Sequence, residues 1–204
     1  MFGLSKKESA LFKKLSTPIK IQDFLDTLPI NFEESGETYM SPRRVILENK
    51  AHCMEGALFA AAVLWFHGQQ PLLLDLQSLA PDCDHVVALY KINNRWGAIS
   101  KSNHSTLRFR DPVYKTVREL AVSYFHEYFI NKTGKKTLVA FSKPFNLKRL
   151  GQGWVTEERD LWRIVHLLDN SPHESVYGEK SGHFIRKADK MEVKAGKLLE
   201  WGSS

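Results

Sequence analysis

Cysteine is scarce in this chain: the 204 residues include two, Cys53 and Cys83. Two thiols cannot build the multi-bridge framework of a small secreted fold. A chain of this length buries roughly 70% of its unfolded surface and needs no such staple. This usage fits a reducing cytoplasm, the expected location. Long hydrophobic runs are missing too. The longest, Ala57 to Phe66, is too short to span a bilayer, so no membrane span is expected. The lysines near the N-terminus are spread out and do not precede an apolar stretch, so no secretory signal is visible. Without secretion, Asn131-Lys132-Thr133 has no meaning as a glycosylation acceptor. Glycine-rich phosphate loops are absent, and Gly151-Gln152-Gly153 alone does not make one. No CxxC or HExxH pattern supports zinc. The Cys-x-His spacing of Cys83 and His85, even with His52, Cys53 and His104 added, is too little for a metal site. No metal and no cofactor are expected. Internal repeats are absent as well.

What is present is ordinary for a folded domain: 43% hydrophobic and 25% charged residues. The net charge of +6 sits mainly at the ends. Residues 1–20 hold five lysines against one glutamate, and residues 180–200 hold six basic against three acidic residues. Solvated basic termini account for this, and no nucleic-acid partner is expected. Residues 1–170 read as one domain with its core at about 40–145. Beyond Ser171-Pro172 the chain is polar and aperiodic, so 171–204 is expected to be a loosely held tail.

Helix signals come first. Residues 5–15 are amphipathic, and Thr17-Pro18 and Ser41-Pro42 each pair a cap with a proline at the first helical position. These predict helices to about Leu28 and Glu48. The run from Cys53 to His67 is apolar on nearly every face and is closed by Gly68, which predicts a central, fully buried helix. Strands are expected over 72–76, 85–92, 95–102, 106–110 and 137–145. Asn93-Asn94 reads as a two-residue hairpin turn. An aromatic-rich helix is expected over 117–129, its Tyr124, Phe125, Tyr128 and Phe129 belonging to the core. A last helix is expected from Thr156 to about Leu168. Helices followed by mostly antiparallel strands define the α+β class.

One of the two cysteines opens the buried helix. A cysteine in an apolar helix is ordinarily filler. At a helix N-terminus, however, the positive end of the dipole lowers the thiol pKa, and first-turn amides can hold an oxyanion. A nucleophile also needs a base. His52 is adjacent, with a side chain expected to diverge from Cys53. His67 lies about 21 Å down the helix. His85 opens a strand expected to pack on the helix. Strand alternation puts His85, Val87 and Leu89 on one face. A two-residue turn at 93–94 pairs 87 with 100 and 85 with 102, so Ser100 and Ser102 share the His85 face. Glu55, in the first turn, reads as a complement to the helix dipole.

Cys53 opening a buried helix, Gly68 closing it, His85 on a strand and Arg95-Trp96 on the hairpin return resemble the transglutaminase-like superfamily over about residues 40–115. The resemblance implies a papain-like core, with a central helix carrying an N-terminal cysteine packed on an antiparallel sheet. It implies Cys53 as nucleophile and His85 as general base. The family's third residue, an Asp four after the Trp, corresponds to Ser100, which cannot stabilise an imidazolium with charge. Asn103 is a neutral alternative for orienting His85, and Asp111 a more distant one. The Cys-x-Glu start at Cys53-Met54-Glu55 is also similar to arylamine N-acetyltransferases, although that family's flanking glycine and arginine pattern is absent. The implied activity is cysteine-dependent amide or acyl chemistry through an acyl-enzyme, as hydrolase or transferase. The implied substrate is a peptide, a protein or a small amide or acyl compound. The competing expectation is a catalytically degenerate fold that serves as a binding module.

Overall fold

The computed structural model describes residues 2–202. Seven α-helices are described: α1 (Lys6–Lys14), α2 (Pro18–Thr27), α3 (Pro42–Glu48), α4 (Cys53–Phe66), α5 (Val117–Ser123), α6 (Trp162–Asp169) and α7 (Lys190–Gly196). The described strands are β1 (Leu72–Ser78), β2 (His85–Ile92), β3 (Arg95–Ile99), β4 (Arg110–Tyr114), β5 (Leu138–Ser142), β6 (Phe145–Asn146) and β7 (His173–Ser175). They form one antiparallel sheet in the order β4-β3-β2-β1-β5-β7, and β6 pairs with β1. The class is α+β.

Local chemistry starts the first three helices. Ser5 and Glu8 form a reciprocal capping box on α1, and Thr17 and Ser41 cap α2 and α3, each followed by proline. Helix α4 is buried from Met54 to Leu64. Its small residues let β2 approach closely on one side, while Phe59 takes Phe12 and Phe24 on the other, ring centroids 5.7 and 5.1 Å away. Gly68, at φ +87°, ends α4 in the left-handed conformation that glycine adopts at little cost.

The sheet is covered on both faces. Leu73, Val86, Ala88, Tyr90 and Ile99 pack towards α4, and Leu74, Leu76, Val87, Leu89 and Ala98 pack with Leu120, Ala121 and Tyr124 on the α5 side. That is why β2 reads as a nearly unbroken apolar run. The hairpin register pairs Ile92 with Arg95 and Ala88 with Ile99. Asn93 and Asn94 both have positive φ, 48° and 60°, as a tight primed turn requires.

Several boundaries differ from the sequence reading. β3 ends at Ile99, and the strand expected over 106–110 lies at 110–114. Between them Leu107 adopts φ +58°, which breaks extended pairing. The aromatic segment is helical only to Ser123 and then tightens into a 3-10 turn. The strand expected over 137–145 divides around Lys143-Pro144, where proline has no N–H for the ladder. The last helix begins at Trp162: Asp160 is drawn to Arg44 (2.7 Å) and the Tyr39 amide (2.9 Å), holding 157–160 off the helix path.

The C-terminal segment departs most. Residues 173–175 add a strand to the sheet edge, and α7 is followed by a bridge from Leu199 to His104. Asn103 and Trp201 exchange two hydrogen bonds of 3.0 and 2.8 Å, so this stretch is tied down where a loosely held tail is expected. Residues 203 and 204 of that expected tail lie outside the described part. Among the described residues no helix is long and apolar enough to cross a membrane.

Candidate active site

Cys53 is the first residue of α4, partly exposed, and His52 is its N-cap. The His52 amide donates to Glu55 (3.0 Å), completing a capping box. Glu55 is fully buried and receives the amides of Met40 (3.1 Å) and His52, the Asn31 side chain (3.1 Å) and the Thr38 hydroxyl (2.9 Å). Burial works to raise its pKa, but hydrogen bonds, first from His52, hold it below the usual carboxylate range. Its job is local: it satisfies a helix start that would otherwise bury orphan donors.

His85 opens β2 and is buried. Its Nε2 lies 2.8 Å from the Ser100 hydroxyl, one residue past the end of β3. That hydroxyl also donates to the Leu107 carbonyl at 2.5 Å. A serine has one proton to give, so it accepts from His85, and Nε2 carries the hydrogen. Nδ1 is then the nitrogen free for chemistry. The Leu107 carbonyl polarises the serine and strengthens it as an acceptor.

Three further groups hold this chain. The Gln22 amide side chain pairs with the Ser100 backbone in both directions, at 2.7 and 2.9 Å. The Leu107 amide donates to Glu127 (2.9 Å), which pairs with Arg110 at 2.7 Å. Lys101, buried under the first turn of α4, spans from there to the end of α2, where its ammonium donates to the Leu25 and Leu28 carbonyls at 3.0 and 2.5 Å.

The Cys53 thiol is influenced by two imidazoles. Burial acts to raise its pKa, but hydrogen bonding to His52 and His85 outweighs this and brings it well below the ordinary thiol value. His52 therefore does not diverge from Cys53 as expected. The reason lies in its cap position, where Nδ1 folds back over the first turn, 3.3 Å from the Met54 amide.

A cleft of about 370 Å³ opens beside Cys53 and His85, with Cys83, Tyr128, Asn103 and Gly196 among its walls. Both cysteines thus face one space. Cys83 is at its exposed rim, with its thiol raised by desolvation and then by the charge of Asp82. The Tyr128 hydroxyl donates to the Cys83 carbonyl and steadies that loop.

Of the groups expected to orient His85, Ser100 touches the ring. Asn103 does not: both ends of its amide are taken by the Trp201 backbone. Asp111 is exposed on β4. The Ser102 hydroxyl closes a local turn with Thr106 and His104. His67 is bonded to the Phe12 carbonyl (2.8 Å) at the far end of α4. Among the described residues, no group of three or more His, Cys, Asp or Glu is arranged to hold a metal. Sequence reasoning missed His52 as a partner of the thiol, and Gln22, Leu107 and Glu127 as supports. The position of His52 immediately before the helix is a usable signal. Gln22 and Glu127 are distant in sequence from the groups they hold, and Leu107 acts through its backbone, so these three carry none.

No protein-family model matches the chain, and no curated protein sequence matches it.

Proposed function

We propose that this protein is a cysteine-dependent enzyme of amide or acyl chemistry, built on a papain-like, transglutaminase-like core. Cys53 is the nucleophile and His85 the proton carrier. The observation that carries the reading is the hydrogen-bonded chain from His85 through Ser100 to the Leu107 carbonyl, which leaves Nδ1 as the working nitrogen beside a depressed thiol.

The steps follow from those positions. The Cys53 thiol passes its proton to His85 Nδ1, the resulting thiolate adds to an acyl carbon, and the Cys53 backbone amide at the start of α4 receives the oxyanion. The tetrahedral intermediate collapses and expels the leaving group, which takes a proton from His85 Nδ1. The thioester is then attacked by water or an amine, whose proton passes to Nδ1. Ser100 keeps the ring from rotating throughout, a steering role that needs no charge.

A generic activated ester tests this. With p-nitrophenyl acetate, Cys53 is expected to give a burst of nitrophenolate and an acetyl adduct that mass spectrometry maps to Cys53. Cys53→Ser should abolish both, and His85→Ala should slow turnover by about 10²–10⁴-fold. An acetyl adduct that maps elsewhere, or turnover unchanged in Cys53→Ser, would defeat the reading. The second reading, a binding module with an inactive site, is favoured by the same Ser100, since it supplies no negative charge to an imidazolium. It predicts no adduct in any variant.

A further inference from the structure

Two histidines lower the Cys53 thiol pKa, and only one is needed to carry protons. His52 sits against two carboxylates. Its Nε2 donates to the Thr38 carbonyl at 2.7 Å, with carboxylates of Glu55 at 3.4 Å and Glu33 at 3.6 Å beyond it. The Tyr39 ring lies edge-on at 5.8 Å and closes the remaining side. Both carboxylates thus face Nε2, while Nδ1 faces the first turn of α4, which Cys53 opens. His85 has a different setting: its Nε2 meets a neutral hydroxyl.

We propose that His52 is the cation that holds Cys53 as a thiolate, so that the thiolate persists in either protonation state of His85. This assignment rests on the reading of Cys53 as nucleophile. It separates two tasks that a single histidine usually performs together. His52, backed by Glu55 and Glu33, supplies fixed positive charge at the sulfur. His85, backed by Ser100, moves protons. His52 is thus a positioning residue, acting on substrate only through the sulfur.

The electrostatic balance at His52 agrees. Burial opposes a charged ring, yet hydrogen bonds to Cys53 and Glu55 prevail and raise its pKa to about 11. The one contact that favours a neutral ring is the Met54 amide at Nδ1, at a long 3.3 Å. A proton on Nδ1 aimed at sulfur replaces it.

The test compares alkylation of Cys53 by iodoacetamide across pH 5–9 in wild type, His52→Asn and His85→Ala. Asparagine is itself a good N-cap, so the helix start survives while the imidazole is lost. The expected result is a thiol in wild type that reacts well at pH 6. His85→Ala should lose less there than His52→Asn does, because His52 still faces the sulfur. His52→Asn should lose at least tenfold at pH 6, because a free thiol near pKa 8.5 is almost wholly protonated at that pH. Loss of low-pH reactivity in His85→Ala with none in His52→Asn overturns the proposal but leaves Cys53 as nucleophile. A wild-type thiol that reacts only above about pH 8 defeats both.

Nitrogen NMR of the folded chain gives a second readout, independent of how the His52 variant folds. The His52 ring should be doubly protonated at pH 7.5 in wild type, and its titration midpoint should fall in Cys53→Ala. A neutral His52 ring at pH 7.5 in wild type overturns the proposal.

Discussion

At the scale of single residues, the site depends on where one hydroxyl proton points. Ser100 gives it to Leu107, so the serine must accept from His85. Ser100→Ala removes the acceptor and leaves a buried imidazole N–H unpaired. The expected outcome is a drop in turnover of about 10–10²-fold with alkylation of Cys53 at pH 6 little changed, because the ring can rotate while the sulfur keeps its other partner. Steady-state ester hydrolysis beside the alkylation profile checks this. Leu107 makes the complementary point. A bulky residue at φ +58° is strained by roughly 1–3 kcal/mol, and here its strained peptide directs a carbonyl at Ser100 and an N–H at Glu127.

At the scale of elements, two contacts decide how the helices meet the sheet. Gly56 sits in the first turn of α4 against Lys101, and a Cβ there would fall 2.5 Å from the Lys101 Cβ. Gly56→Ala should therefore destabilise the fold by about 1–3 kcal/mol in denaturant titration, although alanine is the better helix former. The second contact ties α1 to α3. Glu8 caps α1 and also receives the Arg43 guanidinium at 2.8 Å, which with the Ser5 amide brings its pKa to about 2 against the opposing effect of burial. A depressed folded-state pKa contributes stability above the unfolded value near 4.5 and loses it as pH falls towards 2. Glu8→Gln should cost roughly 1.5 kcal/mol at pH 7, with the difference from wild type shrinking steadily between pH 4.5 and 2. Urea midpoints across that range measure it.

At the scale of the whole molecule, the C-terminal segment closes a circuit back to the site. Leu198 and Glu200 bond to the backbone at Ser105 and Asn103, three to five residues after Ser100, and Gly196 walls the cleft. Asn103→Ala should free this segment: hydrogen exchange at the Leu198, Glu200 and Trp201 region is expected to rise, while protection in α4 and β2 stays at wild-type level. Release should also raise reactivity of Cys53 towards bulky maleimides more than towards iodoacetamide, since the cleft loses a wall but the sulfur keeps its partners.

Much of this was legible in the chain itself. The caps at Ser5, Thr17 and Ser41, the apolar run of α4 with Gly68 after it, and the Asn93-Asn94 turn are local, and local sterics decide them wherever the segment lies. Strand alternation from that turn then put Ser100 on the His85 face, because the side-chain period of two leaves no freedom once the register is known. What only the tertiary structure decided involves partners far apart in sequence. Gln22 reaches Ser100 across 78 residues and Asn103 reaches Trp201 across 98. Those pairings exist because buried polar groups must be satisfied by whatever the fold brings near, and no local pattern records which group that is. The same holds for the third position of the site: the sequence put Ser100 at the matching spacing with Asn103 and the more distant Asp111 as alternatives, and the structure engages Asn103 with the C-terminal strap, leaves Asp111 at the surface, and turns Ser100 to the His85 ring.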